Sequence, residues 1–159
     1  AQAVAGPRHR DEVDVAELLR AAVAARPRSA ANARTDAPAA GLVVAGDRGQ
    51  LQTAVTALLQ FADDLAGAEA TASLAAAALP AAVRLRLVAH GGQLDHWQLP
   101  RSFEPYAPTR ALRGQNPGLG LGLVQAVVLG HGGEAQARRL DDGGLQFDFV
   151  LPRRSAAAP

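Results

Sequence analysis

Cysteine, methionine and lysine are all absent from these 159 residues, and each absence removes a class of chemistry. Without cysteine there is no disulfide scaffold and no thiolate for metal or redox work, whichever compartment holds the chain. All 16 basic residues are arginine, which excludes Schiff-base and lysine general-base chemistry. Any clamp on an anion must therefore be arginine or backbone N–H. The missing methionine extends to position 1, which reads as a piece of a longer chain or a processed product. No apolar run approaches the roughly 18 to 20 residues needed to cross a bilayer, and the start has no signal-like pattern. The chain reads as soluble, with no membrane contact of its own. A net charge of +1 with interspersed signs gives no basic stripe for nucleic acid.

What is present suits one compact domain, since 48% of the residues are apolar and the length allows a single core. Residues 1–12 read as a tail or the end of an upstream segment, 13–152 as the domain, and 153–159 as a disordered tail. Asp14 followed by Glu17 resembles a capping box. Val15, Leu18, Leu19, Ala22 and Val23 then recur at helical spacing until Arg26 and Pro27 end the pattern. Residues 28–40 read as a weak strand or loop and 41–45 as a short strand. Asp47 with Gln50 repeats the capping pattern, and Leu51, Val55, Leu58, Leu59, Ala62 and Leu65 mark one face of a second helix. The alanine-rich run 66–80 has helix propensity and little to bury, and reads as an insertion of uncertain order. Val83, Leu85 and Leu87 alternate with Arg84 and Arg86 as in a half-buried strand. Segments 134–140 and 145–151 flank Asp141, Asp142, Gly143 and Gly144 as a terminal hairpin.

The most distinctive stretch is 116–133, NPGLGLGLVQAVVLGHGG. Its first half reads as a glycine-leucine loop, and from about Leu119 the apolar residues take helical spacing. A flexible glycine loop entering a helix suits phosphate, because its amides can approach an anion and the helix start adds unpaired donors. The pattern is neither a P-loop nor G-x-G-x-x-G after a strand. An equally simple reading is a glycine-rich helix entry with no ligand. The element order predicts a two-layer α/β sandwich, a mixed sheet covered on one face by about three helices. The other sheet face then needs separate cover or meets water.

In this order the motifs resemble the catalytic ATP-binding domain of sensor histidine kinases, in the GHKL or Bergerat-fold ATPase superfamily. Residues 13–19 look like its entry helix, residues 46–59 like the lead-in to the N box, and Phe103, Glu104, Pro105 and Tyr106 like the F box. Gly118, Leu119, Gly120 and Leu121, through His131, Gly132 and Gly133, look like the G2 box and its helix. The resemblance implies ATP held with Mg²⁺ under a mobile lid, and transfer of phosphate to a histidine on a separate domain. It also implies a cytoplasmic setting, as part of a membrane-anchored sensor kinase. Partners would be the dimerisation and phosphoacceptor domain of the same kinase, and a response regulator or partner kinase. None of His9, His90, His96 and His131 lies in a phosphoacceptor-like pattern; His131 reads as a helix-terminus histidine.

The departures from the family's pattern fall at ligand positions. Ala57 and Phe61 stand where the N box has two asparagines, the second a Mg²⁺ ligand, and Asp64 stands at the position of a phosphate-binding basic residue. A phenyl ring offers no oxygen to a hard cation, and a carboxylate there repels phosphate. Asp63 or Asp64 is a candidate substitute ligand, although adjacent acids at a helix end are more commonly solvated. The G1 positions hold Ala89, Gly91 and Gln93, so the aspartate that accepts from the adenine amino group is lost. Asn116 replaces the leading G2 glycine, while Gly118 to Leu121 persist and Arg110 and Arg113 lie in the lid as candidate phosphate contacts. The residual nucleotide set is thus Gly91, Gly118, Leu119, Gly120, Leu121, Arg110 and Arg113, with no catalytic residue and no metal ligand assigned. These losses imply weak or absent ATP binding. Two classes of function follow: an ATP-dependent kinase module with substitute ligands, or a degenerate interaction module. A free-standing phosphotransfer or anti-sigma-type relative is a third.

Overall fold

The computed structural model describes residues 11–27, 32–38, 41–66, 70–91 and 117–153. Two of its three helices begin as the sequence patterns predict. The Asp14 carboxylate accepts from the Ala16 amide at 2.9 Å and starts α1 (Val15–Ala25). That of Asp47 accepts from Gln50 N at 3.1 Å and starts α2 (Arg48–Leu65). Such caps satisfy amides that lack an intrahelical acceptor. A short antiparallel pair, β1 (Asp11–Asp14) and β3 (Val43–Gly46), leads into the two caps. β1 takes in Asp11 and Glu12, ahead of the domain boundary expected at residue 13.

The main sheet has five strands in the order β2 (Arg34–Asp36), β4 (Ala70–Leu79), β5 (Ala82–Gly91), β7 (Leu145–Pro152), β6 (Glu134–Arg139). β2 runs parallel to β4 and the other neighbours are antiparallel. The parallel pair is joined through α2, as a crossover requires. Side chains alternate across the sheet. Leu74, Leu87 and Phe147 stand in one row, and Ala76, Leu85 and Phe149 in the next, all buried toward the helices. The opposite face carries half-exposed Arg84, Arg86, Val88 and Asp148. Arg86 Nε donates to Asp148 Oδ1 at 2.7 Å across the register. This hydrogen bond raises the Arg86 pKa further, against partial desolvation and with the Asp148 charge assisting. The fold is the expected α/β layer pair, with its open face charged and partly wet.

Three sequence expectations are corrected. The alanine run is a strand, not an uncertain insertion: Ala72, Leu74 and Ala76 alternate into the core, and Leu79 pairs with Ala82 around a two-residue turn. Alanine's helix preference is worth only tenths of a kcal/mol per residue and yields to ten paired residues of β5. α3 (Pro117–Gly130) includes the glycine-leucine segment expected to be a loop. Proline suits a first helical position because its missing N–H is one that the helix leaves unpaired. Arg153, expected in the tail, bridges Val44 and donates its amide to Ala81 O at 3.0 Å, tying the small sheet to the large one.

Candidate functional site

The N-box-like residues sit on α2 beneath the sheet row that holds Phe147. Phe61 is 2% exposed, and its ring meets Phe147 edge-on, with centroids 5.5 Å apart at 84°. This is the favourable quadrupolar arrangement of an aromatic pair within an apolar core. Ala57 is partly buried against the same core. Ala89 is fully buried between Ala72 and Leu145 in the sheet register, so a methyl group occupies the position where the resemblance expects an adenine acceptor. Two residues on, Gly91 ends β5 with φ of +86°, a left-handed turn that glycine makes without strain.

The two acids divide. Asp63, expected to be solvated or a substitute ligand, is 6% exposed and committed to structure. Arg26 Nη1 donates to both its oxygens at 2.8 and 3.1 Å, and the amides of Asn32 and Ala33 donate to Oδ1 at 3.0 and 2.7 Å. A carboxylate so surrounded is held by Arg26 and the amides of Asn32 and Ala33 rather than offered to a cation. Asp64 is exposed, and partial desolvation, followed by the adjacent Asp63 charge, raises its pKa above the ordinary 3.8. Among the described residues no group of three or more His, Cys, Asp or Glu side chains could hold a metal ion. Among the described residues, then, the position of the expected metal ligand holds a buried ring, the Asp63 carboxylate is engaged, and that of Asp64 is exposed.

Gly118, Leu119 and Gly120 belong to the first turn of α3, and Leu121 is buried in the core. The first amides of a helix lack intrahelical acceptors, the feature for which an anion site was expected here. Arg110, Arg113, Gln93 and the segment 103–106 lie outside the described residues.

The sequence pattern understated His131. Its ring is buried, with Nδ1 2.8 Å from Val127 O, and Nε2 accepts the Asp47 amide at 3.0 Å. These partners select the neutral tautomer that is protonated on Nδ1, joining the end of α3 to the start of α2. A Cβ added at Gly46 would stand 2.6 Å from the ring, and one at Gly133 would collide with Val150 O. Together with φ of +79° at Gly132, this gives the His-Gly-Gly run a packing reason that requires no ligand. The only local sign of it is that three such residues follow a helix.

Residues 46–155 match the family described as histidine kinase-, DNA gyrase B-, and HSP90-like ATPase. Over 142 residues the chain is 32% identical to the probable sensor histidine kinase HK of Mycobacterium tuberculosis strain CDC 1551 / Oshkosh, covering 88% of this chain and 37% of that protein. It is 34% identical over 113 residues to the sensor histidine kinase component HK1 of strain ATCC 25618 / H37Rv, covering 70% of this chain and 66% of that protein. The chain thus spans only part of the length of these relatives. In fold it is similar to the mycobacterial sensor histidine kinase MprB, with a TM-score of 0.69 and 22% identity over 92% of this chain and 99% of that one. The catalytic domain of the histidine kinase ThkA gives a TM-score of 0.68 and 20% identity, over 91% and 97%. No helix among the described residues is long and apolar enough to cross a membrane. A family match over more than half the chain, on a fold shared with solved histidine-kinase domains, makes this chain a member of the histidine kinase-, DNA gyrase B- and HSP90-like ATPase family, the catalytic ATP-binding domain type of a sensor histidine kinase.

Proposed function

We propose that this domain retains the histidine-kinase ATPase fold but holds ATP and Mg²⁺ weakly or not at all. In this reading it acts in two-component signalling as an interaction module on the cytoplasmic side. It contacts the dimerisation and phosphoacceptor part of its kinase, a partner kinase or a response regulator. The observation that carries the reading is Phe61. A ring 2% exposed and packed on Phe147 takes the place of the expected metal ligand and cannot leave without opening the core. Ala89 supports it independently. An adenine edge left without an acceptor costs about 1 to 3 kcal/mol, roughly ten- to a hundredfold in affinity. Asp63 does not favour the alternative of substitute Mg²⁺ ligands, because Arg26 and two backbone amides already occupy it.

The test is calorimetric titration of the folded chain with a non-hydrolysable ATP analogue, with and without Mg²⁺. The expected result is no saturable heat at millimolar nucleotide. Micromolar, Mg²⁺-dependent binding would overturn the proposal and direct the search for ligands to Asp64 and the lid arginines Arg110 and Arg113.

A further inference from the structure

α1 and α2 lie side by side in the same direction. Arg48 and Glu17, in their first turns, approach to 3.5 Å, and Arg26 and Asp63, at their far ends, to 2.8 Å. Both carboxyl ends therefore meet at one corner, and neither helix has a basic residue in its last turn. Each end is the negative pole of a helix dipole, equivalent to about half a negative charge, although Asn32 Nδ2 approaches the Asp63 carbonyl at 3.5 Å. Two carboxylates, Asp63 and Asp64, stand in the last turn of α2 and add to this. Among the described residues the cation at the corner is Arg26, and its guanidinium is committed to Asp63 and, at 3.3 Å, to Ala33 O. Arg26 thus cancels Asp63. Asp64 makes no hydrogen bond or ion pair among the described residues, and its pKa is raised first by partial desolvation and then by the adjacent Asp63 charge.

A groove of about 510 Å³ runs between the two helices to this corner. Ala21, Ala22 and Ala25 form its α1 wall, Leu59 and Gln60 line the α2 side, and Asp64 stands at its end beside Pro27 and the Arg26–Asp63 ion pair, in which the one charge offsets the other. Alanines leave the wall shallow and aliphatic, wide enough for a side chain from outside. The groove lies beside the face of α2 that carries Phe61, which turns to the sheet.

We infer that this groove is a docking surface for a basic protein segment, one that lays the aliphatic stem of an arginine along the Ala21–Ala25 wall and sets its guanidinium against Asp64. The stem and head of arginine match the two parts of the groove: methylenes cover apolar surface while the planar cation pairs with a carboxylate. An acidic or phosphorylated segment would meet Asp64 and two helix carboxyl ends, and is repelled. A purely apolar segment would leave Asp64 less hydrated and still unpaired.

The probe is an acetylated and amidated alanine-rich helical peptide with one central arginine, compared with the same peptide carrying neutral citrulline there. Each is titrated into the ¹⁵N-labelled 159-residue chain and followed by amide chemical shifts. The expected result is a saturable response centred on Ala21, Ala25, Gln60 and Asp64, with the citrulline peptide about three- to tenfold weaker. Asp64→Asn, at an exposed position, should weaken the arginine peptide by the same factor and leave the citrulline peptide unchanged, the signature of a direct pair. Ala25→Phe, which fills the groove, should remove both responses. No response at the groove, or equal binding of the two peptides, would overturn the inference whatever the outcome of the nucleotide titration.

Discussion

Asp63 receives a guanidinium and two backbone amides, while its neighbour Asp64, one residue further round the helix, receives none of these. For Asp63 this predicts a structural role. Asp63→Ala leaves Arg26, with 16% of its side chain exposed, without its anion, and leaves the Asn32 and Ala33 amides without an acceptor. The expected loss is about 3 to 5 kcal/mol in a urea titration; a variant within about 1 kcal/mol of the parent would rule out the hub. For Asp64 the sign is opposite. A carboxyl whose pKa is raised on folding gives the native state an advantage in acid that is lost as pH rises through the folded value. Asp64→Asn should therefore be the more stable protein at pH 7, by no more than about 0.5 kcal/mol for so exposed a group. The two proteins should converge as pH falls below the ordinary carboxylate value of 3.8. Urea titrations at neutral and acid pH measure both the sign and the convergence. The sequence showed that two acids end a helix; which of them is buried depends on Arg26 and Asn32, some thirty residues away.

Elements carry a second layer of specification. The caps at Asp14 and Asp47 and the helical spacing after each are short-range signals, and α1 and α2 start as they predict. α3 is fixed differently, since its carboxyl end is held to the start of α2 by the ring of His131. His131→Ala removes the acceptor of the Asp47 amide and opens a hole against Gly46. It should cost about 1 to 3 kcal/mol for the unpaired donor alone. Amide hydrogen exchange provides the specific reading: protection at Asp47 should fall more than protection at Ala16, whose partner, Asp14, is untouched. Unchanged exchange at Asp47 would refute the coupling. β4 marks the limit of local reading, because a run of alanine is compatible with helix or strand. Here the long partner β5 and the close approach of small side chains to α2 decide for strand.

For the molecule as a whole, the sequence by itself determined the number and caps of two helices, the inward-facing alternation of β5 and β7, and the order of family motifs. These are properties of residue type and of periods two and 3.6, which the chain carries locally. Tertiary structure alone decided that Phe61 is walled in by Phe147, that Asp63 is closed by Arg26, and that His131 bridges 84 residues to Asp47. It also set α1 and α2 in parallel, so that their carboxyl ends frame one groove. The reason is physical: burial, pairing and the summing of helix-end charge depend on which segments become neighbours, and that choice is made by packing across the chain.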